Sequence, residues 1–65
     1  MSERNPRYEQ IAERLEVIVE ELDELAFDEL RAAAADGATS RPASDKRITA
    51  ARRSIEKAAH LLRDG

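Results

Sequence analysis

Between Pro6 and Gly37 the chain carries neither a glycine nor another proline. Nothing in that run interrupts a helix, and it shows none of the β-branched alternation of a strand. At 1.5 Å per residue the run spans about 45 Å, which few folds of a 65-residue chain can accommodate. Its ends are marked locally. Asn5 is a preferred N-cap, and Pro6 suits the first helical position because its missing N–H has no intrahelical partner there. At the other end Gly37 follows an alanine-rich turn and can adopt the left-handed conformation that closes a helix.

The next stretch, GATSRPAS over residues 37–44, collects Gly, Thr, Ser and Pro and reads as a connection. Ser44 is a candidate second N-cap. Asp45 behind it suits the positive end of a helix dipole, and a second helix is predicted over 45–64. The expected fold is therefore all-α: an antiparallel hairpin of a long helix over 6–36 and a shorter one over 45–64. Residues 1–5 form a tail, and 1–65 is a single domain.

The apolar spacing predicts how the hairpin packs. Tyr8, Ile11, Leu15, Ile18, Leu22 and Leu25 follow a 3-4-3-4 rhythm, the signature of a coiled-coil seam. Glu29 stands where the next member would fall, so the seam is expected to shift through Ala26 to Leu30 and Ala33, as at a stutter. In the second helix Ile48, Ile55 and Leu62 keep heptad spacing, with Ala51 and Ala58 between them. Val17 and Phe27 fall off the seam.

A chain this short buries a small share of its surface, and small scaffolds need an additional device to be stable. With no cysteine and a single histidine, His60, disulfides are excluded and a structural metal is disfavoured, which leaves oligomerisation. The shorter helix is expected to cover only the C-terminal two thirds of the longer one, leaving Tyr8 and Ile11 on an overhang. A homodimeric four-helix bundle would cover them. The expected core and dimer interface are Tyr8, Ile11, Leu15, Ile18, Leu22, Leu25, Leu30, Ile48, Ile55 and Leu62.

Charge divides unevenly. Residues 1–36 carry eleven acids and four basic residues, and 37–65 carry three acids and seven basic residues, so the halves stand at −7 and +4. Most of the acids of the first helix lie opposite its seam at 100° per residue, where like charges at i,i+3 and i,i+4 are mildly unfavourable. The second helix, from this chain or a neighbour, is the expected counterweight. Arg52 and Arg63 flank its seam within reach of carboxylates, with Glu29 as one candidate partner. The outward acids Glu13, Glu20 and Glu24, together with Phe27, form the candidate surface for another protein.

Chemistry finds little footing. Glu56 and His60 are one residue too far apart for the Glu-x-x-His metal motif of helical bundles, and Ser54 and His60 point apart. No Gly-rich phosphate loop is present. No enzyme activity, cofactor or metal is expected. Nucleic acid is a disfavoured but open partner: six of the seven basic residues of 37–65 lie on the second helix, yet the overall charge is −3 and stacking aromatics are scarce. The acidic first helix could equally act as a decoy for a DNA-binding partner. The opening MSERNPRYEQ has no apolar stretch and the longest strongly apolar run is Val17-Ile18-Val19, so a cytoplasmic protein without membrane contact is expected. The leading expectation is a small non-catalytic interaction or regulatory protein acting through a homodimeric bundle.

The stretch YEQIAERLEVIVEELD resembles the opening of the exonuclease VII small subunit, itself a short helical hairpin with an acidic first helix. The resemblance covers about a quarter of the chain. That family turns at a Gly-containing bend soon afterwards, whereas here DELAFDELRAAAADG continues as helix, so no residue role carries over.

Overall fold

The computed structural model describes residues 5–37 and 42–64. Two helices make up the structure, α1 over Pro6–Ala35 and α2 over Ser44–Asp64. Local chemistry sets their ends. Asn5 Oδ1 accepts a hydrogen bond from the Arg7 amide at 2.9 Å, and the Asn5 carbonyl accepts the Tyr8 amide at 3.1 Å, so two orphan donors of the first turn are satisfied. At the far end Asp36 N–H reaches Ala32 O at 3.1 Å and Gly37 N–H reaches Ala34 O at 3.0 Å. Gly37 has φ +87°, a conformation that is costly for a residue with a Cβ. The second helix begins at Ser44 itself, one residue earlier than its capping pattern suggested, and Asp45 N–H bonds to Pro42 O at 3.0 Å. Residues 1–4, most of the expected tail, and 38–41 of the expected connection lie outside the described residues.

The helices pack side by side as an antiparallel hairpin. The direction follows from the cross-pairs: Arg52 meets Asp23, while Arg63, a full three turns later, meets Glu9 and Glu16. The molecule is thin and long, 59 × 14 × 9 Å.

This register corrects the expected overhang. The last turn of α2 reaches the first turns of α1, where Leu62 lines a shallow depression with Asn5, Arg7, Tyr8 and Ile11. At the other end Asp45 stands level with Ala26, Phe27 and Leu30. α2 therefore begins level with about Leu30, and residues 31–35 of α1 extend past its first turn. The length mismatch of the two helices thus falls at the C-terminal end of α1.

The contact face also differs from the expected seam. Among the described residues those buried within the chain are Ala12, Val19, Ile48 and Ala59, with Leu15, Leu22, Ala26, Ile55, Ala58 and Leu62 half-buried. On α1 the inward positions run 12, 15, 19, 22, 26, 29 and 33, an unbroken 3-4 series that needs no stutter and places Glu29 half-buried on the contact face. Leu30 lies to the side and is 40% exposed. On α2 the series is 48, 52, 55, 59 and 62, so Ala59 and the stem of Arg52 occupy core positions and Ala51 stays exposed. The buried Ala12 and Ala59 let the helices approach closely but remove little apolar area from water.

Candidate interaction surface

A hairpin has two long flanks, and the sequence makes them chemically opposite. On one flank Glu9, Glu16 and Asp23, spaced by seven, form a row of carboxylates along α1. Two arginines of α2 cross to this row. Arg63 Nε donates to both oxygens of Glu9 at 3.1 and 3.0 Å, and Nη2 donates to Glu9 Oε2 at 2.7 Å. The same guanidinium reaches Glu16, through Nη1 to Oε2 and through Nη2 to Oε1 at 3.2 Å. One side chain thus clamps two successive turns of α1. Arg52 forks onto Asp23, with Nε to Oδ1 at 2.7 Å and Nη2 to Oδ2 at 3.4 Å, and its Nη1 donates to Glu56 of its own helix at 3.2 Å.

These contacts shift the charges they join. Hydrogen bonding from Arg63 holds the Glu16 carboxyl below its ordinary value, with desolvation opposing and the arginine's charge assisting. The same bonds, first from Glu16 and then from Glu9, raise the Arg63 guanidinium, and bonding to Asp23 raises Arg52. Both arginines are partly exposed, so the pairs fix register and orientation rather than supply much stability. Their partners differ from the expected one, because Arg52 takes Asp23 and Arg63 takes Glu9 and Glu16 in place of Glu29. Glu56 and His60 do not form a pair either. Glu56 meets Arg52, and His60 Nε2 lies 3.2 Å from Asp64 on the exposed side of α2.

The opposite flank is apolar and open. Ile11, Ile18 and Leu25, again spaced by seven, are 38, 40 and 47% exposed, and Tyr8 beside them is 45% exposed. Half-buried Leu15 and Leu22 join this row to the intrachain core. On α2 the same side carries Ala51 and Ala58, about 70–90° round from the contact direction at 100° per residue. The residues expected to form the core are thus divided. Ile48 is buried and Leu15, Leu22, Ile55 and Leu62 are half-buried within the chain, while Tyr8, Ile11, Ile18, Leu25 and Leu30 still face solvent. The buried Ala12, Val19 and Ala59 escaped the sequence reading, although the 12-19-26-33 spacing carries the same heptad signal in smaller residues.

The outward face of α1 holds Glu13, Glu20, Glu24 and Phe27, all exposed, with Phe27 at 65%. Phe27 lies between two shallow grooves, one shared with Asp23, Leu30 and Asp45 and one with Glu24, Asp28 and Arg31. Arg31 is tied to Asp28 at 2.5 Å. Of the six basic residues of α2, Arg52 and Arg63 are spent on α1, and Lys46, Arg47, Arg53 and Lys57 face outward.

Among the described residues no three His, Cys, Asp or Glu side chains are grouped to hold a metal ion, and no helix is long and apolar enough to cross a membrane. No family model matches the chain, and comparison with curated proteins and with solved structures gave no match.

Proposed function

We propose that this chain is a small non-catalytic interaction or regulatory protein that works as a homodimer, two hairpins closing a four-helix bundle over their apolar flanks. The observation that carries the reading is the row Tyr8, Ile11, Ile18 and Leu25, a continuous aliphatic and aromatic stripe with 38–47% of each residue in water. Single exposed apolar residues are ordinary, but a stripe at heptad spacing down one side of a long helix is a helix-packing surface. Area supports it. The chain exposes 5439 Å², against roughly 4,200 Å² for a compact monomer of 7.3 kDa. Part of that excess is elongation, and its size is comparable to the ~800 Å² each partner buries in a standard interface.

In such a dimer the ion-paired flanks and the acidic outer face stay in water. Glu13, Glu20, Glu24 and Phe27 then form the surface offered to another protein. The basic α2 is less available to nucleic acid than its composition suggests, since two of its arginines are engaged within the hairpin. The test is the mass in solution by size exclusion with light scattering, at low and moderate salt. Twice the chain mass at both supports the proposal. A monomer persisting at tens of micromolar overturns it and leaves the stripe to a different protein.

A further inference from the structure

We infer that the second hairpin docks with its α1 antiparallel to this α1, about a two-fold axis that crosses the helix at Ile18. The inference rests on the homodimer reading and adds its geometry. The apolar row is symmetric about Ile18, with Ile11 seven residues before it and Leu25 seven after. Reversing the helix about that point lays Ile18 on Ile18 and Ile11 on Leu25, apolar against apolar at all three heptad positions, with Tyr8 just beyond Leu25 of the second copy.

The charges beside the row select the same arrangement. Immediately outward of it, again at seven-residue spacing, stand Arg7, Arg14, Glu21 and Asp28, all exposed. This series is basic in its first half and acidic in its second. In the antiparallel arrangement Arg14 comes opposite Glu21 of the second copy and Arg7 opposite Asp28, and the two-fold axis repeats each pair, giving four complementary contacts. A parallel arrangement would set Arg14 near Arg14 and Asp28 near Asp28. Flanking charges of this kind decide partner and orientation in helical pairs even where each contributes little. Asp28 already holds Arg31 of its own chain, and its second oxygen remains to meet Arg7.

The remaining alternative, α1 of one copy on α2 of the other, would keep the intrachain levels and set Ile18 and Leu25 near the heights of Ala58 and Ala51, small side chains that bury less of the apolar row than its own large aliphatics do. With α1 on α1, α2 meets α2 across Ala51 and Ala58, whose small side chains admit close approach.

Because the chain has no cysteine, introduced thiols report the geometry directly. The experiment oxidises Ile18→Cys alone, Ile11→Cys alone, Leu25→Cys alone, and an equimolar mixture of the last two, alongside light scattering of the native chain. Disulfides require Cβ atoms about 3.5–4.5 Å apart, so only facing positions couple readily. The expected pattern is self-coupling of I18C, little self-coupling of I11C or L25C, and a mixed disulfide in the mixture. Self-coupling of I11C as efficient as that in the mixture, or no coupling by any variant while the native chain is a dimer, overturns the antiparallel arrangement and leaves the dimer standing. A monomeric native chain overturns the dimer itself. A charge swap provides an independent readout. Arg14→Glu and Glu21→Arg each weaken dimerisation by roughly three- to tenfold, and the double variant restores it to within about twofold. Double-variant weakening equal to the sum of the singles contradicts the pairing.

Discussion

Truncating Ile18 to alanine isolates the apolar flank from everything else in the hairpin. Within one chain the residue is 40% exposed, so that fraction of its surface remains to be buried by a partner. Complete burial of an isoleucine is worth about 1.5–3 kcal/mol, so the exposed part corresponds to about 0.6–1.2 kcal/mol per chain. The dimer contains the side chain twice, which gives roughly 1–2.5 kcal/mol and a Kd raised about 5- to 70-fold. Any unfilled cavity at the two-fold axis adds to the loss. Val17→Ala is the matched control. Val17 is 54% exposed on the side of α1 directed away from α2, 100° round the helix from Ile18, and it is likewise a β-branched residue, so both substitutions gain a similar few tenths of a kcal/mol in helix propensity. Sedimentation equilibrium over a concentration series reads the two Kd values, and far-UV circular dichroism confirms that helicity is retained. The expected result is a clear loss of dimer for Ile18→Ala and none for Val17→Ala. Equal Kd values for the two variants would refute the assignment of the flank.

The ion-paired flank makes a pH prediction. Glu16 has a folded pKa depressed by Arg63, so it binds a proton more readily unfolded than folded. Its contribution is present above the ordinary carboxylate range and fades as pH falls through the depressed folded value. Melting temperature should therefore drop on acidification below about pH 4.5, and Arg63→Gln should flatten the part of that slope due to Glu16. Identical slopes in the two proteins would argue against the clamp. Phe27→Ser, at the outward acidic face, is expected to leave melting temperature and dimer mass unchanged while weakening capture of any protein that recognises this face. A fall of several degrees would make Phe27 structural instead.

Much of the architecture is legible in short-range chemistry. Asn5-Pro6 and Gly37 mark the ends of α1 because capping depends on a few neighbouring residues and on backbone conformations those residues favour. The uneven charge is equally visible, and with it the need for arginines of α2 to face carboxylates of α1. The choice of carboxylate was not legible. Glu29 falls on a seam position by spacing, but Arg52 meets Asp23, because spacing along one helix does not set the axial register between two.

The sequence by itself determined two helices, their boundaries and an apolar arc on α1 wider than one neighbouring helix can cover. It carries two overlapping heptad rows in that arc, Ala12-Val19-Ala26 and Ile11-Ile18-Leu25, which share Leu15 and Leu22. Apolar burial is non-directional and cannot rank one row against the other as the intrachain contact. Only the tertiary structure decided it. With Arg63 clamping Glu9 and Glu16 and Arg52 forked onto Asp23, α2 is drawn toward the acidic side of the arc, where the small Ala12 and Ala59 let the helices close. The larger aliphatics are left on the open side because a single helix has too narrow a face to reach both rows.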